Sequence, residues 1–406
     1  MQSDTAGLSR SLFPEAANHA IKITELFAGC GGFTQGFREF RPSGFKSSPF
    51  RSVGAVDWDI AAASTFAANF ADDVLTVDKI FVDDIKYWNE SALVQPDIIL
   101  GGPPCQGFSS LGRLNPDDPR NELNYQYMRM VSVLAPKIFV IENVDRFIKS
   151  REYDQLRQAT KPGGLLSEYA LETKVLNAAD YGAPQNRRRA IVLGTHRDLV
   201  SSHPDLIPLQ HPEPTHAKDP QAPPTLFDTR DRKPWVPVSS VFEKTYAYSP
   251  VAALPERVCS PLGVCLPGVF GTYELHLRRN PTPLSLKRYA SIPPGGNRYD
   301  SPADLSTKSW LRHRTGSGDV MGRLHIDRPS VTIRTEFFKP EKGRYLHPYM
   351  DRPITHYEAA LIQGFPDEFL WCGTKIQIAR QIGNAIPVQL SRALAEEIYF
   401  YLKTVR

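Results

Sequence analysis

Cysteine is scarce in this chain: five residues in 406 (Cys30, Cys105, Cys259, Cys265 and Cys372), with no C-x-x-C pair among them. That excludes a disulfide framework and a cysteine zinc cluster, so no metal site is expected and a cysteine with a task works as a free thiol. The first 30 residues lack the basic-then-apolar layout of a signal peptide, and no apolar run approaches the ~18 residues of a membrane span. A cytoplasmic, reducing setting is the expectation. Neither sign of charge dominates, with 48 Lys and Arg against 44 Asp and Glu, a net +4. Such a balance permits a polyanionic partner without requiring one. Internal repeats and low-complexity tracts are also missing. The length itself suggests two or three domains.

What is present is an alternation of apolar runs and amphipathic stretches through the first half. Strands are expected at Ile21 to Gly29, Ser52 to Asp57, Asp97 to Gly101, Lys137 to Ile141 and Ala190 to Gly194, short and rich in Ile and Val like strands buried on both faces. Between them Ile60 to Phe70 is alanine-rich, and Tyr127, Met130, Val131 and Leu134 recur at helical spacing. This predicts an α/β fold with a doubly wound, mostly parallel sheet, which binds ligands at the carboxyl ends of its strands. From 201 to 300 the pattern breaks: 17 of the 35 prolines fall there, which disfavours long helices and central strands. Trp235, Val236, Val238, Val241, Phe242, Leu262, Val264, Val269, Phe270, Tyr273 and Leu275 offer this region a small core, so it reads as a second, loop-rich domain. From Phe270 to Arg323 nine Lys or Arg face four acids, placing a local +5 here. Helical pattern returns at the end, where Leu390, Leu394, Ile398 and Leu402 follow Pro387 at four-residue steps. This helix is expected to pack back onto the first domain.

Several segments carry chemistry. The first strand runs into Phe27-Ala28-Gly29-Cys30-Gly31-Gly32, a strand-to-helix turn whose glycines admit a ligand close to the backbone. The spacing is not that of a dinucleotide G-x-G-x-x-G. The second strand ends at Asp57-Trp58-Asp59, an acid suited to ribose hydroxyls beside an indole suited to a purine. Gly101-Gly102-Pro103-Pro104-Cys105-Gln106 stiffens a turn around one thiol, where nearby amides favour the nucleophilic thiolate. The loop from Gln106 to Asn121 has the small and turn-forming residues of a lid. Glu142, in Glu142-Asn143-Val144, ends an apolar strand, where a carboxyl is costly to ionise and suits an acid that holds its proton. In Gln185-Asn186-Arg187-Arg188-Arg189, Arg187 and Arg189 are expected on one side of a strand start, able to hold a carbonyl oxygen or phosphate. Gln381 to Pro387 reads as a glycine turn before the last helix.

In this order, these segments resemble the DNA cytosine-5 methyltransferases, prokaryotic restriction-modification type. The resemblance spans roughly Ile21 to Ile398, apart from the variable stretch near 200 to 315, and Arg328 to Ile333 and Glu358 to Pro366 match as well. It implies S-adenosylmethionine as cofactor, with Phe27, Gly29, Cys30, Gly31 and Gly32 around its methionine part. Asp57 would hold the ribose, Trp58 would meet the adenine, Asp84 and Ile85 would line the adenine pocket, and Asn384 and Ile386 would complete it. Cys105 is implied as the nucleophile toward C6 of a cytosine flipped from the duplex, Glu142 as the group that protonates N3, and Arg187 and Arg189 as holding O2 and the catalytic loop. The resemblance divides the chain into a catalytic part at 1–195, a target-recognition domain at 196–324 and a return segment at 325–406. The basic segment would supply phosphate and groove contacts to double-stranded DNA. Val388 stands where the family commonly has a second proline after Pro387. The long stretch before Arg328, and Gly107-Phe108-Ser109 after the thiol motif, disfavour the tRNA-methylating branch. A catalytically dead DNA-binding relative is disfavoured by the intact Cys105, Glu142, Arg187 and Arg189. The implied partners are double-stranded DNA and a restriction endonuclease as functional counterpart; no membrane association is expected, and the protein is expected to act as a stand-alone monomer.

Overall fold

The computed structural model describes residues 20–89, 94–104, 122–203, 205–220, 231–258, 260–312 and 318–405. Cys105, Cys259, the proposed lid from Gln106 to Asn121 and Arg314 therefore lie outside the described residues. The centre is a seven-stranded sheet: β1 (Ile21–Leu26), β2 (Phe50–Val56), β3 (Ile80–Phe81), β4 (Ile98–Gly101), β5 (Ile138–Val144), β6 (Tyr169–Asn177) and β7 (Arg188–His196), in the order β3-β2-β1-β4-β5-β7-β6. The pairings from β3 to β5 are parallel, and β7 runs antiparallel to both β5 and β6. β4 is buried along its whole length, as a central parallel strand covered on both faces must be.

The sheet differs from the sequence expectation at its margins. β5 continues to Val144 and β7 begins at Arg188, because the antiparallel ladder runs on past the apolar core to pair Val144 with Arg189. β6, which the apolar pattern does not disclose, is an edge strand of mostly half-buried residues whose apolar run is interrupted by Glu172, Thr173 and Lys174. The expected glycine turn at Gln381 to Pro387 is instead largely helix: Lys375–Asn384 is opened by a capping box between Thr374 and Gln377. Gly383 sits inside that helix because the chain at Arg334 and Thr335 crosses so close that a Cβ would lie 2.4 Å from Thr335 N.

Both faces of the sheet are covered. The helix Ile60–Phe70 is capped by Asp59, whose side chain accepts from Ala61 N at 2.9 Å and Ala62 N at 3.3 Å. The final helix, Val388–Thr404, packs back onto the first domain as expected. Its Leu390, Leu394, Ile398 and Leu402 are buried in one cluster with Ile21, Phe33 and Phe37, each contributing about 1.5–3 kcal/mol of burial. Ser391 donates to Phe33 O at 2.7 Å, and Gly36 leaves room for that helix, since a Cβ there would meet Ser391 at 2.4 Å.

The proline-rich stretch does not form the separate small core that its apolar residues suggest. Val238, Val241, Phe242, Phe270 and Leu275 are buried in the same cluster as Ile333, Phe337, Phe365 and Trp371 of the return segment, while Tyr273 is 60% exposed. Phe270–Gly271 pairs antiparallel with Leu370–Trp371. Tyr289, Ile292, Met321 and Leu346 make a small satellite cluster within and behind the basic segment. No helix among the described residues is long and apolar enough to cross a membrane.

Candidate active site and cofactor cleft

At the carboxyl end of β1 the chain turns sharply. Phe27, Gly29 and Gly31 all hold left-handed backbone, with φ of 56°, 56° and 87°. For Phe27 that conformation is costly, and such strain concentrates where a backbone must be shaped for a ligand. A side chain at Gly29 would project into open space, whereas one at Gly32 would come 3.0 Å from Ile386 O and 3.2 Å from Ala385 Cβ. The return segment thus closes directly on the glycine turn. Cys30 is buried and points its thiol toward Gln381 O at 3.8 Å; burial pushes the thiol pKa up strongly, so it is an inert part of the wall.

Asp57, one residue past β2, organises the same edge. Its Oδ2 accepts from Gly29 N and its Oδ1 from Asp59 N, both at 2.8 Å. Burial pushes its pKa up to about 6 against the pull of those two amides. Trp58 beside it is 81% exposed, an unusual position for an indole without a partner surface. Ile85 is buried with Leu26 and Val56 under the strand ends, and Asp84 accepts from Lys86 N at 3.1 Å. Asn384 is exposed at the end of its helix and Ile386 is buried beside the turn. All the residues expected at the cofactor site therefore gather at one edge of the sheet.

The second cluster lies two strands away. β4 pairs with β1 and with β5, in register at Leu26 with Gly101 and Gly101 with Ile141; two strand spacings amount to roughly 10 Å. Pro103 and Pro104 follow β4, and Asn143 Nδ2 donates to Pro103 O at 3.0 Å, tying the turn to β5. Gly102 permits this approach: its missing Cβ would stand 3.3 Å from Glu142 Oε2. Glu142 Oε1 meets Arg189 Nε at 2.8 Å, with both side chains largely buried. The contact is an ion pair by distance, while Glu142 Oε1 is buried without a hydrogen bond of good geometry, which leaves that oxygen able to take a further donor. A cavity of about 490 Å³ opens beside Arg189, bounded also by Asn177, Asn186, Trp235 and Thr332.

Arg187 departs from expectation. It lies before the start of β7, only 2% exposed, and does not share a ligand-facing side with Arg189. Its Nη1 donates to Ile333 O and its Nη2 to Gly383 O, each at 2.9 Å. Burial pulls its pKa down to about 9. Arg187 is a positioning residue that locks the return segment to the arginine motif. Gln185 does the same: its Nε2 donates to Gln363 Oε1 at 2.7 Å and its Oε1 accepts from Ile333 N at 2.8 Å. Sequence reasoning gave no role to Gln185, Asn143 or Gln363; their partners in these contacts, apart from neighbouring strands, stand far away along the chain. Glu25 was also missed. It is buried beneath the glycine turn, accepts from Thr34 N at 3.2 Å and from Thr34 Oγ1, and is pushed up to about 8 by burial.

The basic segment is only partly available to a polyanion. Arg323 is 3% exposed and its guanidinium donates to Ile292 O, Tyr289 O and His347 O, and Arg298 is 8% exposed. These two do not serve as free phosphate contacts.

Comparison with known proteins fits this geometry. The family model of the C-5 cytosine-specific DNA methylases matches residues 21–399. The Type II methyltransferase M.XorII of Xanthomonas oryzae pv. oryzae is 33% identical over 92% of this chain and 83% of its own length. M1.HphI of Haemophilus parahaemolyticus, another Type II methyltransferase, is 30% identical over 93% of this chain and 87% of its own. Among solved structures, a chain described as a DNA modification methyltransferase encoded within an E. coli prophage superposes with a TM-score of 0.65 at 24% identity, covering 94% of this chain and 99% of that one. That likeness extends to the fold.

Proposed function

Because the chain belongs to the C-5 cytosine-specific DNA methylases and is a DNA cytosine-5 methyltransferase, we propose that it methylates C5 of a cytosine flipped out of a specific duplex sequence, through a transient bond between Cys105 and C6. The observation that carries this reading is the Glu142–Arg189 pair at 2.8 Å, set beside Gly102 in the turn that precedes Cys105 in the sequence. C5 of cytosine is a poor nucleophile while the ring is aromatic. Addition of the Cys105 thiolate to C6 makes C5 enamine-like. Glu142 hydrogen-bonds and protonates N3, taking up the charge that develops, and Arg189 holds both Glu142 and the O2 side of the base. After methylation C5 loses its proton and Cys105 leaves by elimination. Reaching the base requires its extrusion from the stack, which costs a few kcal/mol.

The cleft at β1 and β2 fits S-adenosylmethionine. Open space at Gly29, left-handed backbone at Phe27 and Gly31, an acid at Asp57 and an exposed indole at Trp58 suit an amino-acid tail, a ribose and a purine in that order. Asn384 and Ile386 border the cleft from the return segment, and Asp84 with Ile85 lies toward the adenine end. Bound there, the cofactor supplies an electrophilic methyl group. Residues 196–324 would read the DNA sequence, with Arg288 over Trp310 as a surface platform. A cytoplasmic enzyme acting as a monomer, as the protective partner of a restriction endonuclease, is the setting this reading assigns. The test is methylation-sensitive sequencing of the genome of a methylation-free bacterium that expresses the chain. One short motif carrying 5-methylcytosine at nearly every copy is expected; unmodified DNA alongside folded protein would count against the reading.

A further inference from the structure

A second cavity, of about 260 Å³, lies between the basic segment and the return segment. Lys375 lines it at the start of a helix whose other end is Asn384, so at 1.5 Å per residue the cavity stands roughly 14 Å from the cofactor cleft. Four cationic side chains, Arg278, Arg279, Arg352 and Lys375, line it, and no carboxylate stands among the described lining residues. Arg352 is neutralised from behind by buried Glu358, at 2.9 and 2.6 Å. The other three are less well compensated. Arg279 donates to Phe338 O at 3.1 Å, with Glu341 only at 3.9 Å, and Lys375 Nζ reaches Ala252 O at 3.5 Å. Several cations bordering one space with no facing carboxylate favour an anion there.

Apart from Asn280, the rest of the wall is apolar or aromatic. Phe338 stacks on the His356 ring at 5.6 Å and 17°, and Ile354 flanks them. His356 Nε2 donates to Lys375 O at 3.0 Å, and burial pulls the imidazole pKa down to about 4, so the ring is neutral. Cations without a facing carboxylate, set beside an apolar wall that carries an aromatic ring, describe one ligand class. We propose that this cavity binds a single nucleotide unit, its base along the Phe338–His356 wall and its phosphate on Arg278, Arg279 and Lys375. The volume, just below that of typical ligand clefts, holds one such unit.

Two sources share this chemistry, a free nucleotide and a nucleotide of a DNA strand, and one experiment separates them. The full chain, with S-adenosylmethionine at saturation to occupy the cofactor cleft, is titrated calorimetrically with thymidine 5′-monophosphate. One saturable site, about tenfold tighter than for inorganic phosphate, is expected. Lys375→Glu should weaken it by about tenfold or more without lowering the melting temperature, because an acid in the first turn of a helix is favourable. Phe338→Ala should erase the advantage over inorganic phosphate. Displacement of the probe by added duplex assigns the site to a DNA strand, and simultaneous binding assigns it to a free nucleotide. No saturable binding to the unmodified protein, or binding that both substitutions leave unchanged, overturns the proposal.

Discussion

At the ends of β1 and β2 the chain works mainly with backbone: left-handed residues, missing side chains and amides gathered by Asp57. At the ends of β5 and β7 it works with paired charge, Glu142 against Arg189, held by a ladder of antiparallel register. The two halves share one edge of one sheet. A binding cradle needs close approach and open amides, which glycine supplies locally. A group that must exchange a proton needs a counter-charge at fixed distance, which only a neighbouring strand supplies. On the proposed reading, the ends of β1 and β2 bind the cofactor and the ends of β4, β5 and β7 carry the chemistry.

Substitutions sharpen this contrast. The largest effect is expected at Glu142→Gln, which keeps the shape and loses the proton: kcat should fall by about 10²–10⁴, measured as transfer of labelled methyl to DNA, with cofactor affinity near that of the unmodified chain. An equal loss of cofactor binding would erase the division between the halves. Within one motif, Arg187→Met should cost about 2–4 kcal/mol in urea unfolding, because Ile333 O and Gly383 O lose a charged donor. Arg189→Met should instead suppress transfer while leaving stability within about 1 kcal/mol. If the two variants behave alike, the assignment of Arg187 to positioning is wrong.

On the binding side, Asp57→Asn should weaken S-adenosylmethionine by about ten- to a hundredfold, the worth of a charge-assisted hydrogen bond. The pH dependence has a definite sign. Asp57 is held above its ordinary carboxylate pKa, at about 6, so it gains a proton as pH falls through 6 and cofactor affinity should drop there. Its contribution to folding stability runs the other way, present below the ordinary pKa and lost as pH rises through about 6. Calorimetric affinities at pH 7.5 and 5.5 should differ for the unmodified chain and converge for Asp57→Asn. The smallest effect is expected at Arg188→Ala: this exposed residue faces Asp145 at 4.0 Å, and its removal should shift stability by less than about 0.5 kcal/mol.

What was legible in the sequence follows the same line. Phe27 to Gly32 and Asp57-Trp58 are contiguous, so their chemistry is visible without a partner. β4 and the core of β5 announce themselves through unbroken apolar runs. β6 does not, because Glu172, Thr173 and Lys174 break its apolar run and most of its residues are half-buried, with no clear alternation. Arg187 and Arg189 look equivalent two residues apart; only the start of β7 at Arg188 and the crossing of Ile333 and Gly383 send one inward. The Gln185–Gln363 contact joins residues 178 apart, a separation at which local spacing carries no signal. The proline-rich stretch misled in one respect: its apolar residues serve a core shared with the return segment.

The most direct measurement uses a duplex carrying 5-fluorocytosine at the methylated position. Fluorine replaces the proton that must leave C5, so elimination fails and the enzyme stays attached. A denaturation-resistant protein–DNA adduct is expected that forms only with S-adenosylmethionine, maps by mass spectrometry to Cys105 and disappears in Cys105→Ser. Methyl transfer that continues in Cys105→Ser, or an adduct on another residue, would contradict the proposed role of Cys105.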